Sequence, residues 1–222
     1  NDAFGRFEMN GLAKQAKVLK PVELKRVTEF ITNSTRFPER NLVILSLSFL
    51  AGLRAVEIAG LKWENVVDGD VVGDVLEIRN SFSKGKRGGR RIQIHSKLKP
   101  ALEALWILEQ EKGQTDKNRG TLKSYVVTLA GGNPDLTSRA QSVVTLFNGK
   151  GQHLGWFARA GLPGATSHSG RRYFGTNAAR QYSKVGGSLR DVQSLLGHAS
   201  LQQTQSYIDE NADAKRRLIE LI

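Results

Sequence analysis

Cysteine is missing from all 222 residues. That absence excludes a disulfide scaffold, a thiolate-ligated zinc site and a thiol nucleophile together. Long apolar runs are missing as well. The richest stretch, Leu42 to Leu50, is broken by Ser46 and Ser48, and falls far short of the about 18 residues that span a bilayer. Nothing at the start reads as a secretory signal, so a cytoplasmic protein with no membrane partner is expected. The chain opens on Asn1, which suggests a piece of a longer protein. Several chemical signatures are also missing. Gly149-Lys150-Gly151 is not embedded in a nucleotide phosphate loop. His95, His153, His168 and His198 do not fall at metal-ligand spacing with carboxylates. Ser167 and Ser169 lie outside any Gly-x-Ser-x-Gly elbow. No metal and no cofactor is expected.

Acidic residues are the other shortage. Asp plus Glu number 21 against 33 Lys plus Arg, a net charge of +12, with pI ≈ 10.1. Such a balance suits a polyanionic partner, nucleic acid before an anionic membrane surface. With 39% hydrophobic and 24% charged residues, the composition is that of a folded globular chain.

Helical periodicity runs from Pro21 to about Asn33, with Pro21 suited to a first helical turn. A second helix, opened by Pro38, is apolar on most faces and ends at Gly52. A short helix follows, with Arg54 and Glu57 three apart and able to meet. Val75 to Arg79 and Arg91 to His95 read as strands around the glycine-rich, basic turn Ser83 to Arg90. Leu98 to Lys112 is an amphipathic helix, and Ser138 to Ala160 is mostly helix with a break at 149–151. Four further helices are expected from Thr166 onward, divided at Gly186-Gly187, at Gly197 and near Tyr207. The expected class is mainly α with a small antiparallel β-sheet (α+β).

One constellation remains. His168 and Arg171 share a helix face. In Leu196-Gly197-His198 the glycine suits a left-handed helix end, and Ser200 with Gln203 has the pattern of a capping box. His198 is thereby held beside a helix N-terminus, a place that favours anions. Tyr207 follows nine residues on.

Arg54 in Gly52-Leu53-Arg54-x-x-Glu57-Ile58-x-x-Leu61, His168-x-x-Arg171, Leu196-Gly197-His198 and Tyr207 together resemble, in order and spacing, the signature of the tyrosine recombinases, the phage integrase and Xer-like family. The resemblance runs from about Pro21 to Tyr207. It implies the tyrosine recombinase catalytic domain fold over 21–207. Residues 1–20 would be a linker or N-terminal arm. Residues 208–222 would be an amphipathic tail helix and a candidate for exchange between protomers. The family's separate N-terminal core-binding domain has no room in this chain. The chain departs from the family pattern at Gly170, where a Leu usually precedes the second Arg.

The resemblance implies a site-specific DNA recombinase or integrase. It would cleave and rejoin strands through a 3′-phosphotyrosine without metal or ATP, in integration or excision of a phage or mobile element. Tyr207 would be the nucleophile, with Arg54 and Arg171 on the phosphate oxygens. His168 would be an acid/base or hydrogen-bond partner near the tyrosine, and His198 a donor to a non-bridging oxygen. The family's hairpin lysine would protonate the leaving oxygen. Lys84 fits it better than Lys86, because it precedes a Gly at the end of the first strand. Lys86, Arg87, Arg90 and Arg91 would contact double-stranded DNA. A homotetramer on DNA, a monomer without it, and association with the nucleoid when DNA-bound complete the expectation. Two other readings stay open: a type IB topoisomerase, and a basic DNA-binding module without catalysis.

Overall fold

The structure, a computed structural model, describes residues 16–79, 89–129, 135–207 and 219–220. Helix α1 (Pro21–Ser34) starts where expected. Pro21 occupies its first turn, and the Glu23 carboxylate reaches back to the Lys20 backbone N–H at 2.8 Å. It buries Val27 and Ile31, one turn apart. Helix α2 (Pro38–Leu50) is enclosed along its second half, from Val43 to Phe49. Gly52 turns the chain out of it at φ +64°. A Cβ at Gly52 would lie 2.5 Å from the Phe174 ring, so this turn needs glycine for both backbone and space.

Short α3 (Ala55–Gly60) leads to a 3-10 turn at Trp63–Asn65. The fully buried Trp63 ring lies 4.7 Å from that of Trp106 on α4 (Lys99–Gly113). Between them run β1 (Val67–Asp68) with β2 (Val71–Val72), then β3 (Val75–Ile78) with β4 (Arg90–Gln93), each pair antiparallel. Helix α5 (Leu136–Asn148) is capped by the Asp135 carboxylate, which accepts from the N–H groups of Thr137 and Ser138. It packs along α3. There its buried Arg139 donates to the Ala59 carbonyl at 3.0 Å and the Val127 carbonyl at 2.9 Å, joining the two segments through one guanidinium. The β5 (Gly149–Lys150) and β6 (His153–Leu154) hairpin separates α5 from α6 (Trp156–Arg159).

Helix α7 (Ser169–Gln181) crosses α2. At the crossing a Cβ on Gly170 would fall 2.2 Å from Ser48 Oγ and 2.7 Å from the Phe49 ring. The close approach accounts for glycine where the family pattern has Leu. A 3-10 turn (Tyr182–Val185), α8 (Leu189–Leu196) and α9 (Leu201–Gln205) complete the described chain up to Tyr207.

The described residues form two apolar clusters. The large one runs through α1 to α6 and the strands β2 to β4. The small one encloses only Ala179, Val192 and Leu196, with Phe174, Tyr182, Leu189 and Tyr207 around them.

The mainly helical class agrees with the sequence reading, as do the breaks at Gly52, Gly149–Gly151 and Gly197. Two details differ. In place of one small sheet the described residues hold three separate two-stranded pairs. Strand β4 also begins at Arg90, not Arg91, because Arg90 pairs across to Ile78. The tip of the basic turn and the tail helix fall outside the described residues. No helix among the described residues is long and apolar enough to cross a membrane.

Candidate active site

The turn at Gly52 sends Leu53 into the core and leaves Arg54 as the residue that opens α3. Glu57, one helical turn on, is fully buried. Its Oε2 accepts the Arg54 backbone N–H at 2.8 Å, and its Oε1 accepts the Arg54 Nη1 at 3.3 Å. The expected pairing of Arg54 with Glu57 is therefore present. A stronger partner comes from β4. Arg90 Nη1 donates to Oε1 at 2.8 Å and Nη2 to Oε2 at 2.9 Å, a two-pronged fork. Arg171 Nη1 lies 3.9 Å from Oε2. Burial pushes the Glu57 carboxyl up, but the hydrogen bonds and charge of Arg90, the Arg54 N–H and the charge of Arg171 outweigh it. Glu57 is thus held below the ordinary carboxylate range and stays ionised.

Arg171 lies in the first turn of α7, where His168 is the capping residue. Its side chain is 5% exposed. It donates to the carbonyl of Gly52 at 2.7 Å and to that of Leu196 at the end of α8. One guanidinium therefore ties the α2–α3 turn to the α8–α9 turn. Burial and then the charge of Arg54 bring its pKa down to about 10, against the pull of Glu57; it remains a cation at neutral pH.

The α8–α9 turn is closed as a Schellman motif. Gly197 sits at φ +60°, its N–H bonds the Ser194 carbonyl at 2.9 Å, and the His198 N–H bonds that of Gln193 at 3.1 Å. The Gln193 amide returns to the His198 carbonyl at 3.1 Å. Ring nitrogen Nδ1 of His198 is 2.9 Å from Oγ1 of the fully buried Thr204. Burial, then the charges of Arg171, Arg54 and Arg90, lower the imidazole to about 4. The ring is neutral at pH 7, and Nε2 is the nitrogen left free of Thr204. The Tyr207 ring packs 5.4 Å from the His198 ring. It also lies on Gly175, where a Cβ would come within 2.6 Å of it.

Arg54, His168, Arg171, His198 and Tyr207 line one open cavity of about 310 Å³, with Gln203 and Ser206. Five of the six expected catalytic residues thus come together. Lys84, its alternative Lys86, and Arg87 lie outside the described residues. His168 is exposed at the rim.

Arg90 needs correction as an expected DNA contact. Both its terminal nitrogens are engaged by Glu57, and its side chain is only 9% exposed. Adjacent residues of a strand face opposite ways, so Arg91 takes the outward position and pairs loosely with Glu77 at 3.5 Å. The anion attraction expected of the helix after His198 is corrected too. Helix α9 has five residues, too few for an appreciable macrodipole, so side chains supply the positive field. Thr204, which contacts the His198 ring, is the site residue that the sequence reading passed over. It stands three before Tyr207, whose backbone N–H bonds the Thr204 carbonyl at 3.1 Å.

This set of side chains on this scaffold defines a class: the fold is that of the tyrosine recombinase catalytic domain. More specifically, the model of the phage integrase family matches residues 17–214, and the chain belongs to that family. Among curated relatives, the tyrosine recombinase XerC of Nitrobacter winogradskyi is 28% identical over 199 residues, which cover 86% of this chain and 54% of that protein. The crystal structure of XerA recombinase superposes with a TM-score of 0.64 at 24% identity, covering 92% of this chain and 64% of that one. The XerH site-specific recombinase bound to its difH substrate, a pre-cleavage complex, gives a TM-score of 0.58 at 20% identity and covers 95% and 56%. The chain spans about half the length of the XerC relative it matches.

Proposed function

We propose that this chain is the catalytic part of a site-specific DNA recombinase that cuts and rejoins strands through Tyr207. The observation that carries the reading is the convergence of two guanidiniums, two imidazoles and one phenol on a single open cavity. The Tyr207 oxygen attacks the scissile phosphorus and gives its proton to His168; the tyrosyl O–P bond forms as the P–O5′ bond breaks, and the 5′-oxygen leaves with a proton from the hairpin lysine. The reverse step with another 5′-hydroxyl rejoins the strand, and one phosphodiester is exchanged for another throughout.

Arg54 and Arg171 bind the non-bridging oxygens and oppose the charge that develops on them. We assign the neutral His198 the tautomer in which Nδ1 accepts from the Thr204 hydroxyl, 2.9 Å away, and the Nε2 proton is donated to one of those oxygens. His168 assists at the tyrosine side. Lys84 of the hairpin is the general acid, with Lys86 as the alternative. The partner is double-stranded DNA, on which the protein acts as a homotetramer in the cytoplasm, exchanging tail helices between protomers. Integration or excision of a mobile element is the biological setting. The net charge of +12 and the outward Arg91 support the DNA reading.

The test is covalent trapping on a nicked duplex taken from the ends of the element. Wild-type protein gives a protein–DNA adduct on denaturing gels. Affinity falls with salt by about 0.9 log unit per log unit for each phosphate neutralised. DNA binding without any adduct, from this chain and from the full-length protein, would leave a binding module and refute the catalytic reading.

A further inference from the structure

We propose that Arg90 is a positioning residue that neutralises Glu57, so that Arg54 and Arg171 remain available to the DNA phosphate. The inference rests on the recombinase reading of the cavity. Its basis is a charge conflict in the geometry. Glu57 is a fully buried anion between the two guanidiniums that line the cavity. Left alone, it would draw both away from a substrate phosphate of the same charge. Arg90 prevents this by occupying both carboxylate oxygens at 2.8 and 2.9 Å. Arg54 then needs only one long side-chain contact to Glu57, at 3.3 Å, and Arg171 stays at 3.9 Å. Arg171 spends one N–H on each of two carbonyls, so three of its five remain for an anion.

Arg90 also touches the other side of the site. A Cβ on Gly197 would stand 2.8 Å from its Nη1, so its guanidinium lies against the turn that holds His198. It opens β4 of the β3–β4 hairpin. One side chain thus joins that hairpin, the Arg54–Glu57 pair and the His198 turn. Lysine has one charge but no planar fork, and methionine has neither.

The experiment compares Arg90→Met, Arg90→Lys, Glu57→Gln and the double variant Arg90→Met/Glu57→Gln, each checked by thermal melting. Single-turnover cleavage of the nicked duplex is measured at saturating protein, alongside DNA affinity across salt. Arg90→Met slows the saturated rate by about 100-fold and leaves the salt slope unchanged. Arg90→Lys recovers part of the rate. The double variant is faster than Arg90→Met alone, because the uncompensated anion is gone.

A second readout needs no DNA. The His198 ring, faced by Arg171, Arg54, Arg90 and Glu57, is titrated by NMR. Its midpoint, about 4 in the wild type, rises in Arg90→Met and moves less in Arg90→Lys. A reduced salt slope with an unaltered saturated rate would make Arg90 a DNA contact and overturn the proposal. So would an unmoved His198 midpoint, or losses in the double variant that simply add. If the wild type forms no adduct, the recombinase reading fails, while the His198 titration still decides whether Arg90 sets the charge of the site.

Discussion

Arg171 and Tyr207 line the same cavity but stand on different amounts of structure. Arg171 comes from a helix packed against α2, and its guanidinium is fixed by two carbonyls from separate turns. Tyr207 follows a five-residue helix and packs on the small cluster around Ala179, Val192 and Leu196. Charge stabilisation depends on donors that need no reorganisation at the moment of reaction. In the proposed reaction Tyr207 must reach phosphorus, become covalently attached and later be released. The fold fixes Arg171 with long-range bonds and holds the tyrosine with a few ring contacts, to His198 and Gly175.

The comparison breaks most sharply on Tyr207→Phe. This variant removes one hydroxyl at the cavity, so the adduct disappears from trapping gels while the melting temperature shifts by no more than about 2 °C. Arg171→Ala is expected to fail on both counts. Cleavage falls by about 1000-fold or more, and chemical denaturation shows a loss of about 2–4 kcal/mol, because two buried carbonyls lose their partner and Glu57 loses a neighbouring cation. If Arg171→Ala melted like the wild type, the tie between the two turns would be incidental.

Gly175→Ala sharpens the other half. The added methyl falls within 2.6 Å of the Tyr207 ring, so the ring must shift. Cleavage drops by about tenfold or more, with a stability cost of about 1–3 kcal/mol. Asp135→Ala provides the small effect, at a helix cap that does not line the cavity. Loss of the α5 cap costs about 1 kcal/mol in urea melts and leaves the saturated cleavage rate as it was.

Acid acts on the small cluster. The His198 pKa is about 4 in the folded protein against 6.5 for the free group. The unfolded chain therefore takes up a proton that the native site refuses. Stability contributed by the neutral ring is complete above pH 6.5 and is lost as the pH falls towards 4. His198→Asn flattens that part of the stability profile.

Much of this site is visible along the chain because its markers are local. Arg54 follows a helix-ending glycine, His168 and Arg171 are spaced as one helical turn, and Gly197 marks the Schellman turn before His198. What is not visible depends on distance. Glu57 and Arg90 are 33 positions apart, and no spacing rule connects a helix to a strand that far on. Arg90 and Arg91 look alike in a basic, glycine-rich stretch, yet strand alternation turns one inward and the other outward. The β1–β2 and β5–β6 pairs are two residues long, too short for a period of two to register. Gly170 shows as a departure in sequence, and only the crossing of α7 over α2 gives its cause.

Identification of the residue joined to DNA tests the central claim most directly. The trapped adduct is digested with trypsin and the peptide carrying the oligonucleotide is sequenced by mass spectrometry. The account predicts the peptide from Asp191 to Lys215, in which Tyr207 is the only tyrosine. An oligonucleotide on a peptide containing Tyr125, Tyr173 or Tyr182 would contradict it.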